Sequence, residues 1–233
     1  MYLSAKNNNE IPVTDDTYVV CIGASAGGLE AINELFDNIA DGKHIAFIVV
    51  QHLSSDYKSL LVELLGKHTH LPVEEAQHHQ KVEPGKVYVI PNNKELTIKD
   101  GQLILSGKEF EKGPNTAIDT FLQSLANDQR HFAIAVLLSG TGTDGTRGIE
   151  TIKSQDGFVI VQDPESAKFD GMPRNAIASG YADLVLSPAD IPDQIGNYID
   201  GILPQRTPPF HKHQEAIQNI LSHVYKRTGY DFS

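Results

Sequence analysis

The stretch Val19-Val20-Cys21-Ile22-Gly23-Ala24-Ser25-Ala26-Gly27-Gly28-Leu29-Glu30 constrains the fold more than any other. It opens with four apolar residues rich in β-branched types, the pattern of a strand buried on both faces. It continues into Leu29, Ala31, Ile32 and Leu35, which have the spacing of a helix face. Between them, three glycines surround one serine. A strand that turns sharply into a helix needs small residues, because a Cβ would clash where the backbone reverses. The turn leaves the Ser25 hydroxyl at the C-terminal end of a strand, beside the positive N-terminus of the next helix. A nucleophile or a phosphate could sit there. The same residues fit the Gly-x-Ser-x-Gly nucleophile elbow.

Strand and helix patterns then alternate along the chain. Ile45-Ala46-Phe47-Ile48-Val49-Val50 is a second apolar run, ending in Gln51-His52. Ser54-Ser55-Asp56 offers N-caps for a helix with Leu60, Leu61, Leu64 and Leu65 on one face, and Gly66 can end it. Residues 71–76 read as a short edge strand and residues 87–91 as another strand. Leu96-Thr97-Ile98 and Leu103-Ile104-Leu105 flank Lys99-Asp100-Gly101-Gln102, a β-hairpin signal. Pro114 precedes a helix over residues 118–126. Residues 131–138 form a third long strand, which runs into Ser139-Gly140-Thr141-Gly142-Thr143-Asp144-Gly145. A helix with Ile149 and Ile152 follows, then a strand over 158–162, a loop over 163–171, a short helix over 173–179 and a last strand over 182–186. This order predicts an α/β fold: a doubly wound, mostly parallel sheet with helices on both faces, plus a β-hairpin.

The chain has 233 residues, enough for one α/β domain with a complete core and some flanking chain. Its 40% hydrophobic and 21% charged content is that of an ordinary globular protein. The net charge of −11 argues against nucleic acid or an anionic membrane surface as partner, since both are bound through clustered Lys and Arg. No apolar run approaches the roughly 18–20 residues of a membrane span. One cysteine excludes an intrachain disulfide and suits a reducing cytoplasm. Residues 1–17 read as a disordered leader, 18–200 as the main α/β domain and 201–213 as a proline-rich linker. Residues 214–233 begin a further helical domain, with Ile217, Ile220, Leu221, Val224 and Tyr225 on one helical face.

In an open parallel sheet, ligands bind outside the C-terminal ends of the strands. Three of the apolar strands here end near Ser25, His52 and Asp144. These are the residue types of a nucleophile, its general base and the group that orients the base. Each alone has a simpler reading: a helix cap, a structural histidine, an Asx turn. Their shared placement makes the catalytic reading the stronger one. The order Ser, His, Asp, with the serine on the first strand, differs from the ordinary α/β-hydrolase order. A dinucleotide site fits poorly, because the glycine spacing is wrong and the second strand ends in Gln51-His52 rather than an acidic residue. His68, His70, His78 and His79 lack the companions of a metal site and read as solvated surface. Cys21 reads as a small core residue.

Ile22-Gly23-Ala24-Ser25-Ala26-Gly27-Gly28, Val50-Gln51-His52, Leu138-Ser139-Gly140-Thr141-Gly142-Thr143-Asp144-Gly145 and Gly171-Met172-Pro173-Arg174 together resemble the catalytic domain of the CheB-type chemotaxis protein-glutamate methylesterases. The likeness covers about residues 18–198. It implies hydrolysis of glutamate γ-methyl esters on chemoreceptors, with methanol released and no cofactor or metal required. Glutamine deamidation by the same triad, or a non-catalytic receptor-binding module, are the alternatives. The resemblance assigns Ser25 as nucleophile, His52 as base and Asp144 as orienting acid. The oxyanion hole falls to the backbone N–H groups of Ala26 and Thr141, and Met172 and Arg174 fall at the rim of the cleft. Sixteen polar leading residues cannot form the receiver domain of the stand-alone esterases. The ending Arg227-Thr228-Gly229-Tyr230-Asp231-Phe232-Ser233 resembles the opening of a CheR-type methyltransferase, which implies a methylesterase–methyltransferase hybrid. The expected partner is a methylated chemoreceptor or similar signalling protein, met in the cytoplasm.

Overall fold

A computed structural model describes residues 17–39, 44–51, 60–107 and 116–203. Residues 1–16 of the leader, most of the linker, the segment 214–233, His52, the Ser54-Ser55-Asp56 cap and Pro114 lie outside the described residues.

Seven strands form one parallel sheet: β1 (Tyr18–Ala24), β2 (Ile45–Gln51), β3 (Val73–Glu75), β5 (Val87–Val89), β8 (Ala133–Leu137), β9 (Phe158–Gln162) and β10 (Leu184–Leu186). Their order across the sheet is β10-β9-β8-β1-β2-β5-β3. The expected edge strand is β3. The chain leaves β1 for β2 on one side and later returns to place β8 on the other. The C-terminal ends of β1 and β8 therefore open the crevice where the winding direction reverses, which is where such sheets bind ligands.

Both faces of the sheet are covered. Val19 and Cys21 point to one core cluster, and Val20, Ile22 and Ala24 to the other, as a period of two requires. The first face is covered by α3 (Ala117–Gln129), α4 (Thr146–Ser154) and α5 (Gly171–Ala178) through Ile118, Phe121, Leu122, Ile149, Ile152, Met172 and Ala176. The second is covered by α1 (Gly28–Asp37), α2 (Leu61–Leu65) and α6 (Ile191–Ile199) through Ile32, Leu35, Phe36, Leu61, Leu65, Ile191 and Ile195. The first face carries small strand residues, Cys21, Gly23, Ala46, Ala133 and Ala135, so α3 comes close. A Cβ on Gly23 would lie 2.6 Å from Ile118 Cγ2.

The structure differs from the sequence reading in three places. The hairpin β6 (Lys94–Lys99) and β7 (Gln102–Gly107) gains a third strand, β4 (Gln80–Lys81), paired antiparallel to β7. The strand expected from residue 131 begins at Ala133, because Arg130–Phe132 is a 3-10 turn entered through Arg130 at φ 52. The sequence pattern does not mark the helix α6. It begins with Pro192 in its first turn, where the missing N–H costs nothing. At its far end Tyr198, on the same face as Ile191 and Ile195, stacks on Phe158 with centroids 4.1 Å apart.

Candidate active site

Ser25 is the first residue past β1. Its N–H donates to Ser139 O at 3.0 Å, and its own carbonyl accepts the Gly28 N–H at 2.9 Å. The chain then turns through Gly27 at φ 67, a left-handed conformation that other residues adopt only with strain. A Cβ there would also lie 2.8 Å from Lys168 Cβ and 2.9 Å from Phe169 Cδ2. The turn is therefore restricted to glycine both by backbone conformation and by its neighbours. It holds Ser25 half-buried at the reversal crevice.

Ser139 ties this turn to the rest of the site. It is fully buried at the end of β8. Its hydroxyl donates to Ala26 O at 2.9 Å and accepts the Phe169 N–H at 3.0 Å. Its own N–H donates to Gln162 Oε1 at 2.8 Å. The ends of β1, β8 and β9 and the segment before α5 are thus joined through one residue. The sequence reading places Ser139 only within a glycine-rich turn, because its partners are remote in the chain.

The directions of the Ala26 and Thr141 backbone amides follow from peptide geometry. No peptide bond among the described residues is cis. In a trans peptide the C=O of one residue and the N–H of the next point opposite ways. The Ser25 carbonyl is engaged by Gly28, so the Ala26 N–H faces away from the turn. The Gly140 carbonyl accepts the Met172 N–H at 2.9 Å, so the Thr141 N–H faces away from α5. No acceptor among the described residues takes either N–H. Gly140 itself abuts Ser25: a Cβ on it would lie 2.9 Å from Ser25 Cβ.

Asp144 is buried one residue before the N-cap of α4. Its carboxylate accepts the N–H groups of Ile118 at 3.0 Å, Asp119 at 2.9 Å and Gly145 at 2.9 Å. Thr116 offers α3 no side-chain cap, so Asp144 supplies that cap from a distance. The arrangement is reciprocal. Asp119, in the first turn of α3, accepts the Gly148 N–H of α4 at 2.8 Å. Burial pushes the Asp119 carboxyl up, and the neighbouring Asp144 charge adds to the rise. The sequence reading does not single out Asp119. Nothing local distinguishes it from an ordinary acidic residue of a first helical turn.

The register pairs Ala24 with Gln51, so the first residues beyond these two paired positions are Ser25 and His52. His52 lies outside the described residues. Met172, expected at the rim, is 1% exposed, and its sulfur fills the space beside Gly140. It is an apolar side chain on the inner face of α5, so it packs into the core. Arg174 is exposed and bound to Asp170 at 2.6 Å and Glu165 at 3.6 Å. The Asp170 partner raises the Arg174 guanidinium pKa further, and Arg174 lowers that of the Asp170 carboxyl. Burial pushes the Cys21 thiol far up, so it is no nucleophile. His68 Nδ1 meets Asp37 Oδ1 at 2.9 Å, and His78 Nδ1 accepts the Leu105 N–H at 3.0 Å. Among the described residues no group of three His, Cys, Asp or Glu is placed to hold a metal, and no helix is long and apolar enough to cross a membrane.

A serine on a tight glycine turn at the reversal crevice, Ala26 and Thr141 N–H groups that no described acceptor takes, and a buried helix-capping aspartate in the loop after β8 form a set suited to acyl transfer. Comparison with known proteins agrees. The family model described as CheB methylesterase matches residues 20–195. A protein-glutamate methylesterase/protein-glutamine glutaminase of Thermotoga maritima is 33% identical over 181 residues, covering 76% of this chain and 53% of its own length. A putative protein of the same description from Leptospira interrogans is 31% identical over 169 residues, covering 72% of this chain and 88% of its own. An uncharacterized 104.1 kDa protein of Rhodobacter capsulatus is 37% identical over 139 residues, covering 60% of this chain and 14% of its own length. The crystal structure of the Thermotoga maritima CheB methylesterase catalytic domain superposes with a TM-score of 0.70 at 32% identity, covering 77% of this chain and 97% of that one. The chain thus spans only part of two of these curated relatives, 53% of the Thermotoga maritima protein and 14% of the Rhodobacter capsulatus one. With the sheet order, the serine turn and the comparisons in agreement, the chain belongs to the CheB methylesterase family.

Proposed function

We propose that this chain is a serine hydrolase that removes methyl groups from glutamate γ-methyl esters of a chemoreceptor or similar signalling protein. The observation that carries the reading is Ser25 on its glycine turn, with Ala26 and Thr141 N–H groups that no acceptor among the described residues takes. Ser25 Oγ attacks the ester carbonyl while His52 takes its proton. The carbonyl oxygen, now an oxyanion, is received by the Ala26 and Thr141 N–H groups. A donor of this kind is worth about 2.7–4 kcal/mol in the transition state. The intermediate collapses, His52 returns the proton to the leaving methoxide, and methanol departs. Water then attacks the acyl-enzyme with the same base, freeing Ser25 and a glutamate carboxylate. Asp144 orients the base and stabilises the imidazolium. Its three N–H donors hold that carboxylate still.

Deamidation of glutamine is the second reading, since the same acyl-enzyme forms when ammonia leaves. It is favoured by the joint esterase/glutaminase description of the Thermotoga maritima relative. We place the reaction in the cytoplasm, where a single thiol stays reduced. We also infer a following methyltransferase-like domain, from the resemblance of residues 227–233. The Rhodobacter capsulatus relative, in which the matching part is 14% of the protein, is in keeping with such a larger assembly. The test of the leading reading offers receptor fragments carrying either a glutamate methyl ester or a glutamine at the modified position. Methanol released faster than ammonia supports it, and ammonia as the main product replaces it with the second.

A further inference from the structure

The Thr141 N–H can receive an oxyanion only if the backbone on both sides of it is held. The upstream side is held by main-chain bonds: Gly140 N–H donates to Phe169 O at 2.9 Å, and Gly140 O accepts the Met172 N–H at 2.9 Å. The loop rests against Gly171, where a Cβ would lie 3.4 Å from Gly140 O and 3.6 Å from Thr141 Cα. The downstream side is different. Gly142 sits at φ 90, and nothing lies within 4 Å of where its Cβ would be. Its carbonyl accepts a hydrogen bond from Asn175 Nδ2 at 2.8 Å. Among the described residues, no other side chain holds this carbonyl.

Asn175 lies on an exposed turn of α5, where a stronger helix former would be favoured on propensity alone. An exposed hydrogen bond of this kind contributes little to global stability. Its more direct consequence is to fix a loop whose central amide must not move. We propose that Asn175 is a positioning residue for the oxyanion-binding amide of Thr141. The inference rests on the reading of Ser25 and Thr141 given above. Asn175 touches no reacting atom. Its amide donor holds the Gly142 peptide, and with Met172 N–H on the other side it sets where the Thr141 N–H points.

The experiment compares Asn175→Ala, Asn175→Asp and Ser25→Ala with wild type on a methyl-esterified receptor fragment. Asn175→Asp keeps the size of the side chain but replaces the donor with a carboxylate that repels the Gly142 carbonyl. The expected result is a kcat lower by about tenfold in Asn175→Ala, the scale of one lost hydrogen bond. The loss is larger in Asn175→Asp, with KM within about twofold, as expected for an interaction made only in the transition state. A peptide aldehyde, which adds Ser25 and generates the oxyanion, should lose affinity in proportion to kcat. Melting temperatures should stay within about 2 °C, as for exposed surface changes. Wild-type kcat in Asn175→Asp with Ser25→Ala inactive overturns this inference alone. Activity retained in Ser25→Ala overturns the nucleophile reading and this inference with it.

Discussion

Replacing Gly140 by alanine tests the packing of the site against Ser25, the proposed nucleophile. The new methyl would lie 2.9 Å from Ser25 Cβ and 3.1 Å from Met172 Cγ, and closer still to Met172 Sδ. Carbon atoms pack at about 3.5–4.0 Å, so Ser25 must retreat by roughly 0.6–1 Å, or the β8 end must. The methionine is flexible and can give way; the serine turn is restricted to glycine conformations and cannot follow easily. Overpacking of this kind costs about 1–3 kcal/mol, which in a domain of this size lowers Tm by about 3–10 °C. A nucleophile misplaced by about 1 Å can cost about 100-fold in rate. Gly140→Ala should therefore lose about 30–100-fold in kcat/KM for methyl-ester hydrolysis, read as methanol release at a temperature well below its Tm. Adding Met172→Ala should make the pair more stable than the two single changes predict, since the two groups touch. It should leave activity low, because the contact with Ser25 remains. Wild-type kcat/KM in Gly140→Ala would refute the reasoning that a displaced Ser25 slows the reaction.

Asp144→Ala strands the Ile118, Asp119 and Gly145 amides, and should lower unfolding stability by about 2–4 kcal/mol in urea titrations. Asp144→Asn keeps a carbonyl acceptor and should lose less stability, yet lose roughly 10³–10⁴ in rate if Asp144 sets the tautomer of the base. Equal activity of the Asp144→Asn variant and wild type would remove Asp144 from the mechanism. Tyr198 has its phenol pushed up to about 12, first by burial and then by neighbouring Tyr18, Asp183 and Asp156. A pKa raised in the folded state contributes stability that is present below the unfolded value of about 10 and lost as pH climbs through the folded one. Stability should fall between about pH 10 and 12, and Tyr198→Phe should flatten that part of the profile. An unchanged slope in Tyr198→Phe would count against it.

The long strands are legible because strands buried on both faces read as unbroken apolar runs, and the glycine turns because only glycine fits them. What escapes is short or non-local. β4 is two polar residues long and exists only through its pairing with β7. The helix α6 hides behind Pro188 and Pro192, which read as breaks but sit where the missing N–H is harmless. Phe132 continues an apolar run by composition, although Arg130 at φ 52 delays the strand. The serine and the aspartate are visible from their positions at strand ends. Ser139, Asp119 and Asn175 are not, since the side chain of each bonds a backbone group 29 or more residues away. The burial of Met172 against Gly140 is likewise not legible locally. A motif says which residues recur together, while burial depends on which face of α5 meets Gly140.

The most direct measurement of the central claim is methanol release from a methyl-esterified receptor fragment by wild type and by Ser25→Ala, with Tm determined for both. Wild type should turn over, Ser25→Ala should show nothing above background, and the two Tm values should be equal. Turnover by Ser25→Ala at the wild-type rate would contradict the proposed role of Ser25 as nucleophile.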